Sequence, residues 1–370
     1  MGTVNYSYEQ LKRFCNDAFV KFGFTDDEAG KITDVLLLAD LYGIKSHGTQ
    51  RLVRYHKGIE NGSIKIGVKP EVVFETPVSA VLDGQAGMGI VIAIQAMELA
   101  IKKAKEMGMA FVTVRNSNHY GIAGYYTKMA IDEGLIGLSM TNTESIAVHT
   151  NSSQALLGSN PIAFAMPAEP IPFWFDAATT VVPRGKLEVY NKEKKPLEYG
   201  WATGEDGSVS TSAEHVLHCI NDKVGTGGIL PVGGNTEAQG SHKGYGFSMM
   251  CELLTSITSG GATSNHHVRK PGVGAGSCHA FLVIDPKIFG DAQAQKDHTS
   301  VFLQELRDAK RADENVPIYT HGEKEYNNLE KAMKNGIDVN IKTVKEMKEM
   351  CEYLGMDAVD YLGDVDVSNI

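Results

Sequence analysis

Between Met109 and Ile131 the sequence changes from strand to helix across a polar, glycine-bearing turn. Met109-Ala-Phe-Val-Thr-Val114 is a short apolar run of the kind that forms a buried strand. Ile122 to Ile131 repeats at helical spacing instead, with Ala123, Tyr126 and Ala130 able to share one face. The intervening Arg115-Asn-Ser-Asn-His-Tyr-Gly121 therefore sits at the C-terminal mouth of a strand, where open α/β sheets collect their ligands. His119, in that turn, carries a ring that titrates near neutrality when free and can give or take a proton. Gly121 and Gly124 let backbone or a ligand come close. A histidine that only caps the turn would look the same in isolation, so the reading depends on what else the chain brings to it.

The surrounding pattern places this unit in an α/β layer. Ser7 with Gln10 reads as a capping box before Leu11, Phe14, Ala18 and Phe22, with Gly23 as the stop. Thr25 with Glu28 repeats the device, and Ile32, Val35, Leu36 and Ala39 give a second buried face. A third helix is expected from Thr49 to Glu60, ended by Asn61-Gly62. From Val68 the texture shifts: Val72–Phe74 and Ala80–Leu82 read as strands, and Ile90 to Glu106 as a long helix. Strands are expected again at Leu135–Thr141, Ile162–Met166, Pro172–Phe175 and His279–Asp285, which implies a mixed sheet rather than a sandwich. Lys243 to Ser259 reads as a second central helix, and Val181 to Leu230 as excursions around one helix at Ala213–Asn221. After Asp285 the pattern is helical again, with Thr343 and Glu346 as a last capping box, Gly355 as its stop and a solvated acidic tail from Asp357. The expectation is a helical domain made by both termini (1–67 with 290–370) around an α/β domain (68–289).

Bulk chemistry narrows the partners. Of 370 residues, 42% are hydrophobic and 22% charged, enough for more than one core. A net charge of -10 argues against nucleic acid or an anionic membrane surface, but not against a small anion held by local cations. The five cysteines are scattered without close pairs, which suits reduced thiols rather than disulfides or a zinc site. No basic-then-apolar leader and no membrane-length apolar run is found, so the expectation is a soluble, cytoplasmic protein.

Lys45-Ser46-His47-Gly48-Thr49-Gln50-Arg51, in a loop between two helices, offers His119 a partner. His47 adds a second titratable ring, and Arg51 and Arg54 can project to the same side. An arginine binds a carboxylate through a planar, two-pronged hydrogen bond, as an enzyme of small organic acids requires. Surface ion pairs would explain each arginine alone. Gly158-Ser-Asn-Pro161 and Asp176-Ala-Ala-Thr-Thr180 place small residues and hydroxyls at strand ends, where a phosphate or ribose could be held; a plain turn accounts for either. His242-Lys-Gly-Tyr-Gly246 opens a helix, whose N-terminus attracts anions. Gly84-Gln-Ala-Gly-Met-Gly89 has its glycines in the wrong order for a dinucleotide fingerprint, and Gly272-Val-Gly-Ala-Gly276 precedes a strand rather than a helix. A Rossmann site is therefore not expected. Asn265-His266-His267 lacks a third ligand at metal spacing, so no metal is assigned; a hydrolase built on His47, His119 and that pair is the rival class, and a binding protein without catalysis another.

Taken in order, Ser46-His47-Gly48 with Arg51-Leu52, Asn118-His119-x-Gly121, Thr141-Asn142, Gly158-Ser159-Asn160-Pro161, Asp176-x-Ala178-Thr179-Thr180, Gly185-Lys186 and His242-Lys243-Gly244-Tyr245-Gly246 resemble the malate/L-lactate dehydrogenase family. The resemblance implies a three-layer, mixed-sheet, L-sulfolactate-dehydrogenase-like fold that is not a Rossmann domain. It also implies homodimers with sites near the subunit boundary, and interconversion of 2-hydroxy and 2-oxo acids with NAD or NADP. Carried over by position, His119 and His47 become the proton donor or acceptor; the residues themselves then point to Arg51 as the clamp on the substrate carboxylate, with Ser46 and Arg54 beside it. Cofactor-holding segments fall on Asn142, on Phe175, Asp176, Ala177, Ala178, Thr179 and Thr180, on Lys243 and Gly244, and on His321, Gly322 and Glu323. Malate is the first expectation for the substrate; lactate, sulfolactate, ureidoglycolate and cyclic imine acids are the others within the family. The chain departs from the family pattern at Tyr42, Ser241 and His321, the first bearing on substrate choice and the others on cofactor contacts.

Overall fold

The computed structural model describes residues 2–221, 224–268 and 270–368, with the side chain of Lys192 excepted. Its centre is a seven-stranded sheet in the order Glu71–Thr76, Ser79–Asp83, Met109–Ser117, Ser277–Ile284, Ile136–Thr141, Ile162–Met166, Phe173–Ala177. One junction is parallel, Ser79–Asp83 against Met109–Ser117, and the helix Gly89–Met107 is the crossover that a parallel pair requires. The other junctions are antiparallel. A mostly antiparallel sheet has no doubly wound switch point, in line with the missing fingerprint.

Antiparallel pairing decides where loops meet. Met109–Ser117 and Ile136–Thr141 end on the side of the sheet where Ser277–Ile284 and Ile162–Met166 begin and where Phe173–Ala177 ends. Ser117 to His119, Thr141 to Thr143, Ser159 to Pro161 and Asp176 to Thr180 are thus gathered at one sheet end. Gly89 tightens this corner: a Cβ there would lie 2.1 Å from the Asn118 carbonyl, so only glycine lets the crossover helix abut the His119 turn.

The helices Gly89–Met107 and Ala123–Asp132 cover one face of the sheet, and Ser241–Glu252, prolonged by a π-turn over Leu253–Ile257, covers part of the other, giving three layers. Tyr8–Phe22, Asp26–Leu41 and Ile341–Leu354 add an outer helical layer on one continuous core that includes Phe14, Leu36, Ile92, Met97 and Met347. Thr3–Tyr6 pairs antiparallel with Ile337–Asn340, so the two ends of the chain are stitched backbone to backbone.

Several local expectations change. The Thr25–Glu28 capping box has both hydrogen bonds. Ser7 caps its helix, but the Gln10 amide reaches out to the Tyr361 carbonyl instead of back to the cap. The last long helix starts at Ile341 under an Asn340 cap, not at Thr343, because pairing with Thr3–Tyr6 holds the chain extended up to Asn340. The acidic tail is not simply solvated: Ala358–Leu362 is helical, Leu362 is buried, and the Tyr6 hydroxyl donates to its carbonyl. The span 181–230 is more than excursions. It adds a helix at Arg184–Glu193, and with Ala147–Val148 and Ala155–Leu157 the short strands Ala202–Thr203 and Gly228–Ile229 form a four-stranded sheet. Val182, Leu187, Leu197, Val216 and Ile220 make a core of its own there. No helix among the described residues is long and apolar enough to cross a membrane.

Candidate active site

The loop Ser46–Gly48 hangs from a buried carboxylate. Asp40 accepts from the Thr49 amide at 2.8 Å, and a Cβ on Gly48 would fall 1.9 Å from Asp40 Oδ1, so chain and carboxylate are in direct contact. Burial pushes Asp40 up to about 6. Above this anchor the Ser46 hydroxyl lies 2.9 Å from His47 Nδ1, and Arg51 Nε donates to the Ser46 carbonyl at 2.5 Å. The His47 and His119 rings stack with centroids 5.6 Å apart and planes 20° from parallel. Two imidazoles that are far apart in the chain therefore meet.

Both rings are held below the ordinary histidine range. Burial first, then Arg51 and Arg54, lowers His47 to about 3, and burial, Arg54, His47 and Arg51 push His119 well below the usual histidine range. The Tyr55 hydroxyl stands 2.8 Å from His119 Nδ1, and the Gly121 amide points at the same nitrogen from 3.4 Å. Tyr55 is fully buried; burial raises its hydroxyl, with Arg54 and Arg51 pulling the other way.

Ser46, His47, Arg51, Arg54 and His119 line a cavity of about 490 Å³ that also takes in Thr141, Asn142, Ser159, Glu144, Arg184, Glu188 and His267. Arg54 presents an exposed side chain to this void, and among the described residues no hydrogen bond or ion pair holds it. Arg184 by contrast, also in the cavity lining, is held by Glu144 at 3.1 Å, Glu188 at 3.0 Å and the Asn221 side chain at 2.8 Å. A cleft with two neutral imidazoles, one uncommitted guanidinium and a second beside it can bind a carboxylate and pass a proton to the atom next to it.

The remaining sequence-selected residues divide. Asn142 lines the cavity but turns its amide inward, to Ser256, the Ala262 carbonyl and the Cys278 amide. Asp176 accepts from the Gly124 amide at 2.7 Å and so caps the helix Ala123–Asp132; burial raises it to about 6. Thr179 and Thr180 are buried, with hydroxyls on the Ser159 and Val182 carbonyls, whereas Phe175, Ala177 and Ala178 stay partly open. Lys243 and Gly244 lie on the helix Ser241–Glu252 outside the cavity lining, Gly244 packed against the Val232 backbone. The His321 carbonyl accepts from the Trp174 amide, and its ring faces Phe175 at 5.3 Å; Gly322 is buried there, and Glu323 is engaged by Arg307 at 2.7 Å. Tyr42 does not reach the cavity: it packs edge-on against Trp174 at 5.0 Å. His266 bonds to Thr263, and among the described residues no three His, Cys, Asp or Glu side chains gather at metal-binding spacing.

Sequence reasoning missed Tyr55, Asp40, Arg184, Glu144 and Glu188. Tyr55 follows Arg51 by one helical turn, a spacing that could have flagged it. A second cavity, of about 790 Å³ and almost wholly apolar, lies along the strand Ile162–Met166, whose preceding residue Pro161 lines the first cavity. Phe164, Met166 and Phe173 form its floor, Phe302 and Leu306 of the helix Ala292–Arg307 its wall, and Ile318 to His321 its rim.

Comparison with known proteins agrees with this geometry. Residues 6–348 match the family described as malate/L-lactate dehydrogenase. Malate dehydrogenase of Pyrococcus horikoshii is 40% identical, over 97% of this chain and 99% of its own length. The crystal structure of malate dehydrogenase from Entamoeba histolytica superposes with a TM-score of 0.92 at 35% identity, covering 96% of this chain and 99% of that one. Sulfolactate dehydrogenase from Methanocaldococcus jannaschii superposes with a TM-score of 0.87 at 32% identity, covering 97% and 100%. The fold is the one expected, a mixed-sheet α/β arrangement shared with sulfolactate dehydrogenase, and the chain belongs to the malate/L-lactate dehydrogenase family.

Proposed function

We propose that this protein is a nicotinamide-dependent oxidoreductase that interconverts a 2-hydroxy acid and a 2-oxo acid, malate and oxaloacetate first among them. The observation that carries the reading is the meeting of His119 with His47, Arg51 and Arg54 around one cavity. Arg51 holds the C1 carboxylate, and Ser46 fixes the His47 ring beside it. His119 passes the proton to or from the C2 oxygen, a contribution of about 10²–10⁴-fold for a positioned acid–base group. A bound nicotinamide supplies or accepts the hydride at C2. Malate is preferred because a second carboxylate uses a second cation, and Arg54 is uncommitted.

The residues present suit a dinucleotide, NAD or NADP. Ile162, Phe164 and Met166 share one strand face, and the strand runs from Pro161 in the polar cleft to Phe164 and Met166 under the apolar cavity. At ~3.3 Å per residue this is a trough roughly 10–17 Å long, with Phe175 to Thr180 and His321 to Glu323 along its flank. In this reading the adenine end occupies the apolar cavity, Asn142 and Asp176 shape the trough from beneath, and Lys243 and Gly244 act at its margin. Residues 68–289 are the cofactor-binding unit, and 1–67 with 290–370 the helical one. The protein is a homodimer in this account: Phe247, Met250, Leu253 and Ile257 form an exposed apolar stripe along the helix Ser241–Glu252 and its π-turn, which a second copy would cover. Its five cysteines are unpaired and buried, as suits the cytoplasm.

The test is a panel of 2-oxo acids, oxaloacetate, pyruvate, sulfopyruvate and a cyclic imine acid, with NADH and NADPH, followed by nicotinamide absorbance. Turnover of at least one, with oxaloacetate fastest, is expected. Oxidation of neither cofactor by any member would end the proposal.

A further inference from the structure

His119 has two neighbours at its inner nitrogen, and they are not equivalent. The Gly121 amide can only donate, and it points at Nδ1. The Tyr55 hydroxyl, 2.8 Å from the same nitrogen, can turn either way. A proton on Nδ1 would face the Gly121 N–H directly. The resting neutral ring therefore keeps Nδ1 as the acceptor and its proton on Nε2, on the cleft side. From that form, giving up the Nε2 proton with nothing returned to Nδ1 would leave an imidazolate. Starting instead as an imidazolium would place a further positive charge among Arg51, Arg54 and His47.

We propose that Tyr55 is the relay that avoids both charged forms, returning a proton to Nδ1 of His119 as Nε2 releases one to the substrate. The proposal rests on the 2-oxo acid reading of the site. In the reduction direction the hydride adds to C2, and the C=O π pair becomes a lone pair on oxygen. The Nε2–H bond breaks and that proton forms the new hydroxyl. The Tyr55 O–H bond breaks and its proton joins Nδ1, so the imidazole stays neutral and the transient negative charge rests on the Tyr55 oxygen. Arg51 and Arg54 are the nearby cations that stabilise it, and the cycle closes when Nδ1 hands its proton back to the Tyr55 oxygen as water in the cleft reprotonates Nε2. Oxidation runs the same transfers backwards. His279, buried one strand away with its own ring lowered to about 3 by burial, adds no charge to the pair. Tyr55 is thus a positioning and relay residue that acts through His119, not a group that touches substrate.

Tyr55→Phe removes one oxygen and leaves the ring in place. Single-turnover reduction of oxaloacetate by the full chain, with pre-bound reduced dinucleotide, is compared between wild type and this variant, with dinucleotide binding followed by fluorescence. Binding and KM are expected within about threefold of wild type, while the hydride-transfer rate falls by about 10²-fold or more. Wild type should be flat with pH across 6–9, whereas the variant should regain rate about tenfold per unit as pH falls, because only imidazolium can then supply the proton. The wild-type rate in H₂O/D₂O mixtures should curve, reporting two protons in flight, and the variant's should be linear. A variant with the wild-type rate would overturn the relay, as would a slowed variant that keeps the wild-type pH profile and curvature, since that marks a structural role. Failure of the underlying reading is a different result: His119→Ala as active as wild type, or no 2-oxo acid reduced at all.

Discussion

Gly48 shows how far the site depends on single atoms. The residue lies between His47 and the Asp40-bound Thr49 amide, and a methyl group at its Cα has nowhere to go but into the Asp40 carboxylate. Gly48→Ala should displace His47 and lower kcat/KM by about 10²-fold, the usual cost of an ångström of misplacement, with melting temperature less affected; steady-state kinetics and a thermal melt check it. Arg51→Lys keeps the charge but loses the planar fork, so KM for the 2-oxo acid should rise on the order of tenfold while dinucleotide affinity holds. Asp40 makes a stability prediction. Its folded-state value, raised to about 6, lies above the ordinary carboxylate value, so the folded chain binds its proton more tightly and the group's contribution is lost as pH rises toward 6. Relative to Asp40→Asn, wild type should thus fare better at pH 5 than at pH 8, by about 1 kcal/mol in paired denaturation curves. At this scale the histidines and arginines were readable because they sit in turns and at helix starts, where local rules apply. Tyr55 was not: in sequence, a fully buried tyrosine on an apolar helix face looks like core packing.

At the scale of elements, the strands of the central sheet and most long helices followed from periodicity, and the capping box at Thr25 from spacing alone. Where the reading failed, tertiary pairing had overridden a local signal, as at Thr343, or the signal was weak. Arg184–Glu193 follows Pro183 with no side-chain cap and carries few apolar residues, so nothing in its sequence marks a helix that forms one wall of the cleft. That wall rests on its own small core. Leu187→Ala, at a fully buried position, should cost about 2–5 kcal/mol and act mainly there. Hydrogen exchange should speed up across 181–230 and leave Met109–Ser117 and Ser277–Ile284 protected.

For the whole molecule, the sequence indicated both ends of the chain coming together around a sheet, and Thr3–Tyr6 against Ile337–Asn340 is the physical link. Periodicity could not supply the convergence of four sheet-end segments on one side, because that depends on which strands pair and in which direction. The exposed stripe on the Ser241–Ile257 helix belongs to this scale too. Phe247→Asp with Met250→Asp should yield a species with the mass of one chain in sedimentation equilibrium, against a dimer for wild type; an unchanged dimer would move the interface elsewhere. In the proposed reaction His119 is the group that handles the substrate proton. The direct measurement is His119→Ala, assayed for reduction of oxaloacetate and, on the same sample, for binding of reduced dinucleotide. The prediction is turnover down by about 10²-fold or more with affinity for the dinucleotide within a few-fold of wild type; equal turnover in variant and wild type would contradict it.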